Sequence, residues 1–384
     1  MDSQFYYLPE LFYEWFDNYP LFIKNAIVIS FCSISLFLIA VHSLFLKRIL
    51  DTYHEKRINK ASTLISVALT NELMHEGKVA DQHFNESLIS LQLLSNKNKL
   101  YKQVLIDLVM FYHLNFTDQT GKRLNELFNK LNLIESSVKK LKNGAWKLRV
   151  QGLKEMQQLV APEARFNYLV YPLLDHENND LRIEAQIAHI RLNKDQPFAF
   201  LAYTSAELLP WHQILLYEFI TNTPDLAVPK FNKYLQSENE SVCAFCLKLI
   251  AYYHQLEAIP TLINLLSHPS TKIRAATIEV LAKLDAEEAE DKMIARYANE
   301  DLLVQSQILK AIGEIGSGKS LAFLSTQFLE SDNFDIIKAA GYALANYPSF
   351  NKNKLLSALK ADHASGSLQK ETIINHCLNN LIRN

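Results

Sequence analysis

Glycine is scarce in this chain: 9 of 384 residues, with 11 prolines. Sheets joined by tight turns consume both residue types, so the scarcity argues for long helices with short connections. Four cysteines (Cys32, Cys243, Cys246, Cys377) are too few and too scattered for a disulfide framework, which points to a reducing compartment for the main body. Neither sign of charge dominates. A net charge of −2 leaves no polyelectrolyte signal, and no nucleic-acid partner is expected. The 12 histidines form no H-E-x-x-H or comparable cluster, and no G-x-S-x-G stretch occurs. No catalytic residue, metal or cofactor is expected. Disorder as the main state is excluded by a hydrophobic content of 49%.

What the chain does have is one long uncharged run. Asn25 to Leu46 is 22 residues without a formal charge, flanked by Lys24 on one side and Lys47-Arg48 on the other. As a helix it reaches about 33 Å, enough to cross a hydrocarbon core of about 30 Å. Residues 1–20 hold four acids and no Lys or Arg, whereas residues 47–60 hold five bases against two acids. Basic flanks stay on the cytosolic side, so the expected topology is single-pass in the inner (plasma) membrane, N-terminus outside and body cytoplasmic. The acidic start also lacks the basic region of a cleaved signal, so the segment is expected to be retained as an anchor. Leu8, Leu11, Phe12, Trp15, Phe16 and Tyr19 form a helical stripe, which predicts a short amphipathic helix in the outer headgroup zone.

Beyond the anchor the sequence repeats. LRVQGLKEM from Leu148 is followed by LRIEAQIAHI from Leu181, HQILLYEFI from His212 and VCAFCLKLIA from Val242. IRAATIEVLA from Ile273, VQSQILKAIG from Val304 and IIKAAGYALA from Ile336 complete the series. The spacings are 33, 31, 30, 31, 31 and 32 residues. So steady a period over six intervals marks an array of seven units. Each unit reads as two helices, A and B; Ile259–His268 and Ile273–Leu284 are the clearest pair. Asp180, Ser241, Thr271, Asp301 and Asp335 stand where helix B should be N-capped. No unit buries its apolar face alone, so the units must stack into a superhelix.

The pattern around Leu181-Arg182, Ile273-Arg274 and Ala311 to Gly316 resembles HEAT repeats, in particular the short bacterial HEAT-like kind of phycobilisome lyases. The fold class expected is all-α, an N-terminal single transmembrane helix followed by a HEAT-like α-solenoid. The resemblance implies that B helices line a concave side where a partner protein binds, with Arg149, Arg182 and Arg274 as possible contacts on that face. The Arg position is Gln213, Cys243, Gln305 and Ile337 in other copies, so an arginine ladder would be interrupted. The organisation expected is an extracytoplasmic segment (1–24), a span (25–46) and a basic juxtamembrane stalk (47–73). Diverged repeats or a cap (74–144), the HEAT-like array (145–350) and a C-terminal cap (351–384) follow.

Two motifs invite chemistry. Gly313 to Ser320 fits G-x-x-x-x-G-K-S, with Gly313, Gly318, Lys319 and Ser320 at the defining positions. A phosphate-cradling loop needs a strand before it, and here a repeat helix precedes it, so these residues read as an inter-repeat turn. Cys243-Ala-Phe-Cys246 is a lone C-x-x-C on a helix B and reads as packed core thiols. Charge is uneven: residues 97–154 hold 12 Lys and Arg, a strong excess over acids, and residues 279–301 hold 8 acids against 3 bases. The basic stretch is a possible contact for anionic lipid. The function expected is therefore a non-enzymatic, membrane-tethered scaffold or adaptor for an unknown cytosolic or membrane protein. A transmembrane signalling relay with an outer sensing helix stays open. So, more remotely, does an enzyme acting on a bound small molecule or nucleotide.

Overall fold

The computed structural model describes residues 16, 18–73, 78–116, 119–159, 166–223, 226–347, 351, 353–355 and 367–377. Regular structure among the described residues is helical throughout. The chain divides into two compact units, Met1–Ile134 and Glu135–Asn384. The amphipathic stripe expected from Leu8 falls almost wholly outside the described residues.

The first unit begins with α1 (Leu21–Leu73), one unbroken 53-residue helix about 80 Å long. Its first half buries nothing: Phe31, Phe37 and Leu44 are 71%, 68% and 67% exposed. Hydroxyls in this stretch turn back to their own helix, Ser33 to the carbonyl of Ile29 and Ser43 to that of Ala40, both at 2.8 Å. That satisfies the polar atoms without any partner from outside. The pattern changes at Ala61. Ala61, Ile65 and Leu69, spaced four apart, are fully buried because α1 packs there on α2 (Lys78–Lys97) and α3 (Lys99–Asn115). The stretch read as a stalk is therefore free only to about residue 60, and its end is a bundle helix. Asn98 caps α3 by accepting from the Tyr101 amide at 3.1 Å. Helix α4 (Gln119–Lys130) packs on α3 and brings in Leu124, Leu127 and Phe128.

In the second unit α5 (Ile134–Leu141) precedes the array. All seven expected B helices form: α6 (Trp146–Leu159), α8 (Asn179–Leu192), α9 (Pro210–Thr221), α10 (Glu240–Tyr252), α12 (Thr271–Lys283), α14 (Leu302–Ile315) and α16 (Phe334–Asn346). The A helices are full in the later units: α11 (Ile259–Leu265), α13 (Glu290–Tyr297) and α15 (Leu321–Glu330). Earlier they shrink. Among the described residues, α8 is preceded by α7 (Asn167–Val170) with a 3-10 turn, and α9 and α10 by the 3-10 turns Ala199–Ala202 and Phe231–Tyr234. Among the described residues, the two-helix description thus fails before α9 and α10. Pro197 and Pro229 stand just ahead of the single turns, and a proline blocks any helix from extending backwards through it. Phe198, Phe200 and Phe231, fully buried, fill the space a longer helix would take; the rings of Phe198 and Phe231 meet edge to face at 5.0 Å. A last helix, α17 (Ser367–Cys377), covers α16 with Ile374 and Cys377.

The caps differ from expectation at four of five helices. Asp301 caps α14, accepting from the Val304 amide at 3.0 Å. Elsewhere the cap is one or two residues earlier: Asn178 for α8, Asn239 for α10, Ser270 for α12 and Asn333 for α16. Asp180, Ser241, Thr271 and Asp335 lie inside the first turn. At α8, α10 and α16 asparagine wins because its side-chain carbonyl reaches the exposed amides from an extended backbone, while acids just inside still favour the positive helix end; Ser270 holds the position before α12 without a side-chain cap bond. The same turns fasten neighbouring units. Asp175 accepts from the Ser205 hydroxyl and from the Ala206 amide at 3.0 Å. Asn239 donates to the Ala206 carbonyl at 3.0 Å, and Ser241 accepts from the Leu208 amide at 2.8 Å.

Candidate functional site

Consecutive B helices stack, but the fit is uneven. Helices α14 and α16 pack most closely. A Cβ placed on Gly313 would come within 2.4 Å of the Ala343 Cα and 2.6 Å of its Cβ. At α9 and α10 the backbones do not come so near. Bulky side chains hold that junction: Tyr217 and Tyr252 meet edge to face at 5.4 Å, and Tyr252 and Tyr253 at 4.9 Å. Side-chain size sets how near two helices come.

A groove of about 530 Å³ follows from this spacing. It runs over α9, α10 and α12, within the size range of small-molecule and peptide pockets. Ile214, Tyr217 and Tyr252 rise from its walls, Ala244 and Ala276 make its floor, and Lys248 stands at its edge. Ile214 is 63% exposed and Tyr252 47%. Trp211 and Leu215, also on α9, are 41% and 40% exposed. Monomeric proteins seldom leave so much large apolar side chain together at the surface. The Lys248 ammonium donates to the Gln213 side-chain carbonyl at 3.0 Å and has no carboxylate partner among the described residues. Lys283, which also lines the groove, is paired with Glu279 at 2.7 Å.

The arginines expected on a concave face are bonded to groups of their own and neighbouring turns. Arg182, 4% exposed, donates to the His176 carbonyl at 2.8 Å, the Asn179 side chain at 2.7 Å and the Glu207 carbonyl of the following unit at 3.3 Å. Arg274 donates to the His268 carbonyl at 2.9 Å and pairs with Glu300 of the following unit at 2.7 Å. Arg149 donates to the Asn143 carbonyl. These guanidinium groups are engaged in fastening turns, because a planar fork of donors suits several carbonyls at once. Gln213 and Gln305 do the same on a smaller scale, donating to the Leu208 and Tyr297 carbonyls at 2.9 and 3.0 Å. Lys24, Lys47 and Arg48 lie on α1 at the two ends of its uncharged stretch.

The glycine-rich stretch is split between two structures. Gly313 lies inside α14, while Gly316 ends that helix in the left-handed conformation (φ 60°) and Gly318 follows at φ 88°. The turn thus begins at Gly316, not Gly313. The Ser320 hydroxyl donates to Glu290 at 2.6 Å, and its amide donates to the Tyr347 hydroxyl at 3.2 Å. Lys319 reaches Glu287 at 3.4 Å. The Ser320 amide is thus engaged, and a carboxylate 1% exposed sits where a phosphate would need positive surroundings. Cys243 and Cys246 are fully buried on α10. Burial, with Glu240 nearby, pushes the Cys243 thiol up to about 11, and burial raises Cys246 as well, so neither is a thiolate near neutral pH. Among the described residues no three His, Cys, Asp or Glu side chains converge as metal ligands.

Two buried histidines make the array sensitive to acid. Burial lowers the pKa of His189, partly offset by its contact to the Gln196 carbonyl. Burial, then the positive Arg182, lowers that of His212, against a small opposing pull from Asp180. Both are neutral in the fold, while the unfolded chain takes up protons near pH 6.5. Stability is therefore full above about pH 6.5 and declines as pH falls below it. The thermal midpoint is expected to be lower at pH 5.5 than at pH 7.5, and His189→Gln should reduce that difference; a midpoint that does not change with pH would contradict this.

Residues 228–302 and 259–345 match the family described as HEAT repeats. The matched stretch takes in α10 to α16, and the body as a whole is an all-helical repeat. No curated protein matches the chain. Among solved structures the chain is similar to an engineered protein of the Northeast Structural Genomics Consortium, with 13% identity, 85% of this chain and 95% of that chain covered, and a TM-score of 0.32. It is also similar to a structure described as the basis of tubulin recruitment and assembly by microtubule polymerases with TOG domain arrays: 11% identity, 86% and 92% coverage, TM-score 0.26. TM-scores this low define neither the curvature nor the ligand of this chain.

Periodicity alone did not reveal Ile214, Tyr217, Lys248 and Tyr252. One signal was present. The copy from His212 departs most from the repeat pattern, and it carries much of the exposed apolar surface.

Proposed function

We propose that this chain is a membrane-tethered adaptor whose HEAT-like body binds a partner protein at the cytosolic membrane face. The observation that carries the tether is the first half of α1. Among the described residues it is the one helix long and apolar enough to cross a membrane, and its apolar window is entirely unburied. Large apolar side chains are left bare this way where lipid is to cover them. The Lys47-Arg48 flank supports a cytosolic body, and the Lys and Arg of residues 97–154 are proposed to lie near anionic lipid. The step from repeat to binding rests on fold-level analogy, joined by the exposed groove.

Topology is tested with single cysteines read by a membrane-impermeant maleimide in intact cells. Asn18→Cys is expected to label and Asn351→Cys only after lysis; the reverse pattern would overturn the orientation. Deleting residues 25–46 should release the body from the membrane fraction. Gentle detergent purification of the full-length protein should bring a near-stoichiometric companion.

The continuity of α1 favours a second reading, a relay. A helix that runs unbroken from the apolar stretch into the packed bundle at Ala61 moves as one rod. Replacing residues 1–20 with a neutral sequence separates the two, since a pure anchor tolerates the change and a sensor does not.

A further inference from the structure

The geometry points to the ligand class of the groove over α9, α10 and α12: an extended segment of a partner protein that presents a bulky apolar residue beside a carboxylate. This inference rests on the adaptor reading and narrows it. Three features lead to it. The first is apolar demand. Ile214, Tyr217 and Tyr252 stand around a floor of Ala244 and Ala276, so the groove offers a large side chain walls of carbon and a shallow base.

The second is an unanswered charge. Lys248 stands at the edge of the groove and, among the described residues, bonds to the neutral Gln213 side chain and to no carboxylate, while Lys283, which also lines the groove, is already paired with Glu279. A carboxylate arriving next to the apolar anchor would exchange a neutral acceptor for a charged one, roughly doubling the strength of that hydrogen bond. A cationic segment would find Lys248 against it.

The third is size. Neighbouring helix axes lie about 10 Å apart, so a groove across three of them spans about 20 Å. An extended chain covers that distance in about six residues. An extended segment of about six residues thus matches the length of the groove over the three helices.

The test uses the full-length protein in detergent and fluorescein-labelled eight-residue peptides in three forms: a central Asp-Phe, a central Lys-Phe, and a central Asp-Ala. The Asp-Phe peptide is expected to bind at least about tenfold tighter than either of the others. Lys248→Glu should remove that preference and favour Lys-Phe. Ile214→Ala with Tyr252→Ala should weaken the Asp-Phe peptide by about tenfold or more. Lys248 and Ile214 are exposed and lie outside the Tyr217–Tyr252 contact, so Lys248→Glu and Ile214→Ala alone should keep the wild-type melting profile, and Ile214→Ala alone should still weaken the Asp-Phe peptide. Equal binding of the acidic and basic peptides, binding unchanged by these substitutions, or no binding of any peptide overturns the inference. If a companion protein purifies equally well with wild type and with these variants, the adaptor reading stands and the groove is not its seat.

Discussion

Gly313→Val is expected to destabilise the end of the array by about 3 kcal/mol, whereas Lys319→Ala changes stability by less than about 0.5 kcal/mol. The two residues belong to the same G-x-x-x-x-G-K-S string, and a phosphate loop would make the lysine the critical one. The structure reverses their importance. Even a Cβ on Gly313 would lie 2.4 Å from the Ala343 Cα, and backbone cannot step aside as a flexible side chain can. Valine adds two methyl groups to that clash and forces α14 and α16 apart. The helix propensity regained on losing glycine, less than about 1 kcal/mol, does not offset it. Because a repeat array couples mainly to nearest neighbours, the damage should stay local. Amides of α14 and α16 should lose protection from hydrogen exchange while those of α8 keep theirs. Lys319 is 63% exposed at the side chain and its contact to Glu287 is long, at 3.4 Å. Wild-type protection in Gly313→Val, or nucleotide binding abolished by Lys319→Ala, would refute this account.

The second large effect is expected at Glu300. Its side chain is 2% exposed and accepts from Arg274 and Arg296, with closest contacts of 2.7 and 2.8 Å. Arg274 belongs to α12, and Glu300 lies in the turn leading into α14, so the pair clamps one unit to the next. Next in the chain, Asp301 caps α14 by accepting from the Val304 amide. That bond holds its carboxyl below the usual range, against a small opposing effect of burial. Glu300→Ala would remove the carboxylate shared by two guanidinium groups, leaving Arg274, 14% exposed, with a largely buried charge that has lost its ion pair, while Arg296, 37% exposed, turns to solvent. Breaking such a pair costs about 3 kcal/mol or more. Glu300→Gln keeps one acceptor oxygen, so one of the two arginines loses its partner, and it should fall between. Lys283→Ala, which removes the exposed pair with Glu279, should change stability by less than about 0.5 kcal/mol. Equal midpoints in urea for Glu300→Ala and Lys283→Ala would show that the clamp contributes nothing.

Much of the architecture was legible in the sequence, for identifiable reasons. A helix that cannot bury its apolar face alone must recur at a fixed period to be covered, and the period survives in the sequence even where the residues drift. The seven B helices therefore lie where the 30- to 33-residue spacing puts them. The uncharged run from Asn25 to Leu46 was equally plain, since length and lack of charge need no partner to be read. Short-range competition was harder to read. Asn178 and Asn239 displaced Asp180 and Ser241 as caps because the cap depends on which residue leaves the helix first. The A helices before α9 and α10 shrank because proline and large rings together filled the space.

Sequence alone determined that this is an all-helical repeat with a long apolar helix at its start, since periodicity and hydropathy are properties of the chain itself. Tertiary structure decided what each residue of the repeat does. The position held by Arg182 and Arg274 became a fastener because the turns beside it present carbonyls and, at Glu300, a carboxylate. Gly313 became a contact point because Ala343, thirty residues away, comes to lie against it. The groove beside Lys248 exists because tyrosines hold α9 and α10 apart. Each of these depends on which side chains face each other across neighbouring units, a relation that a period along the chain does not contain.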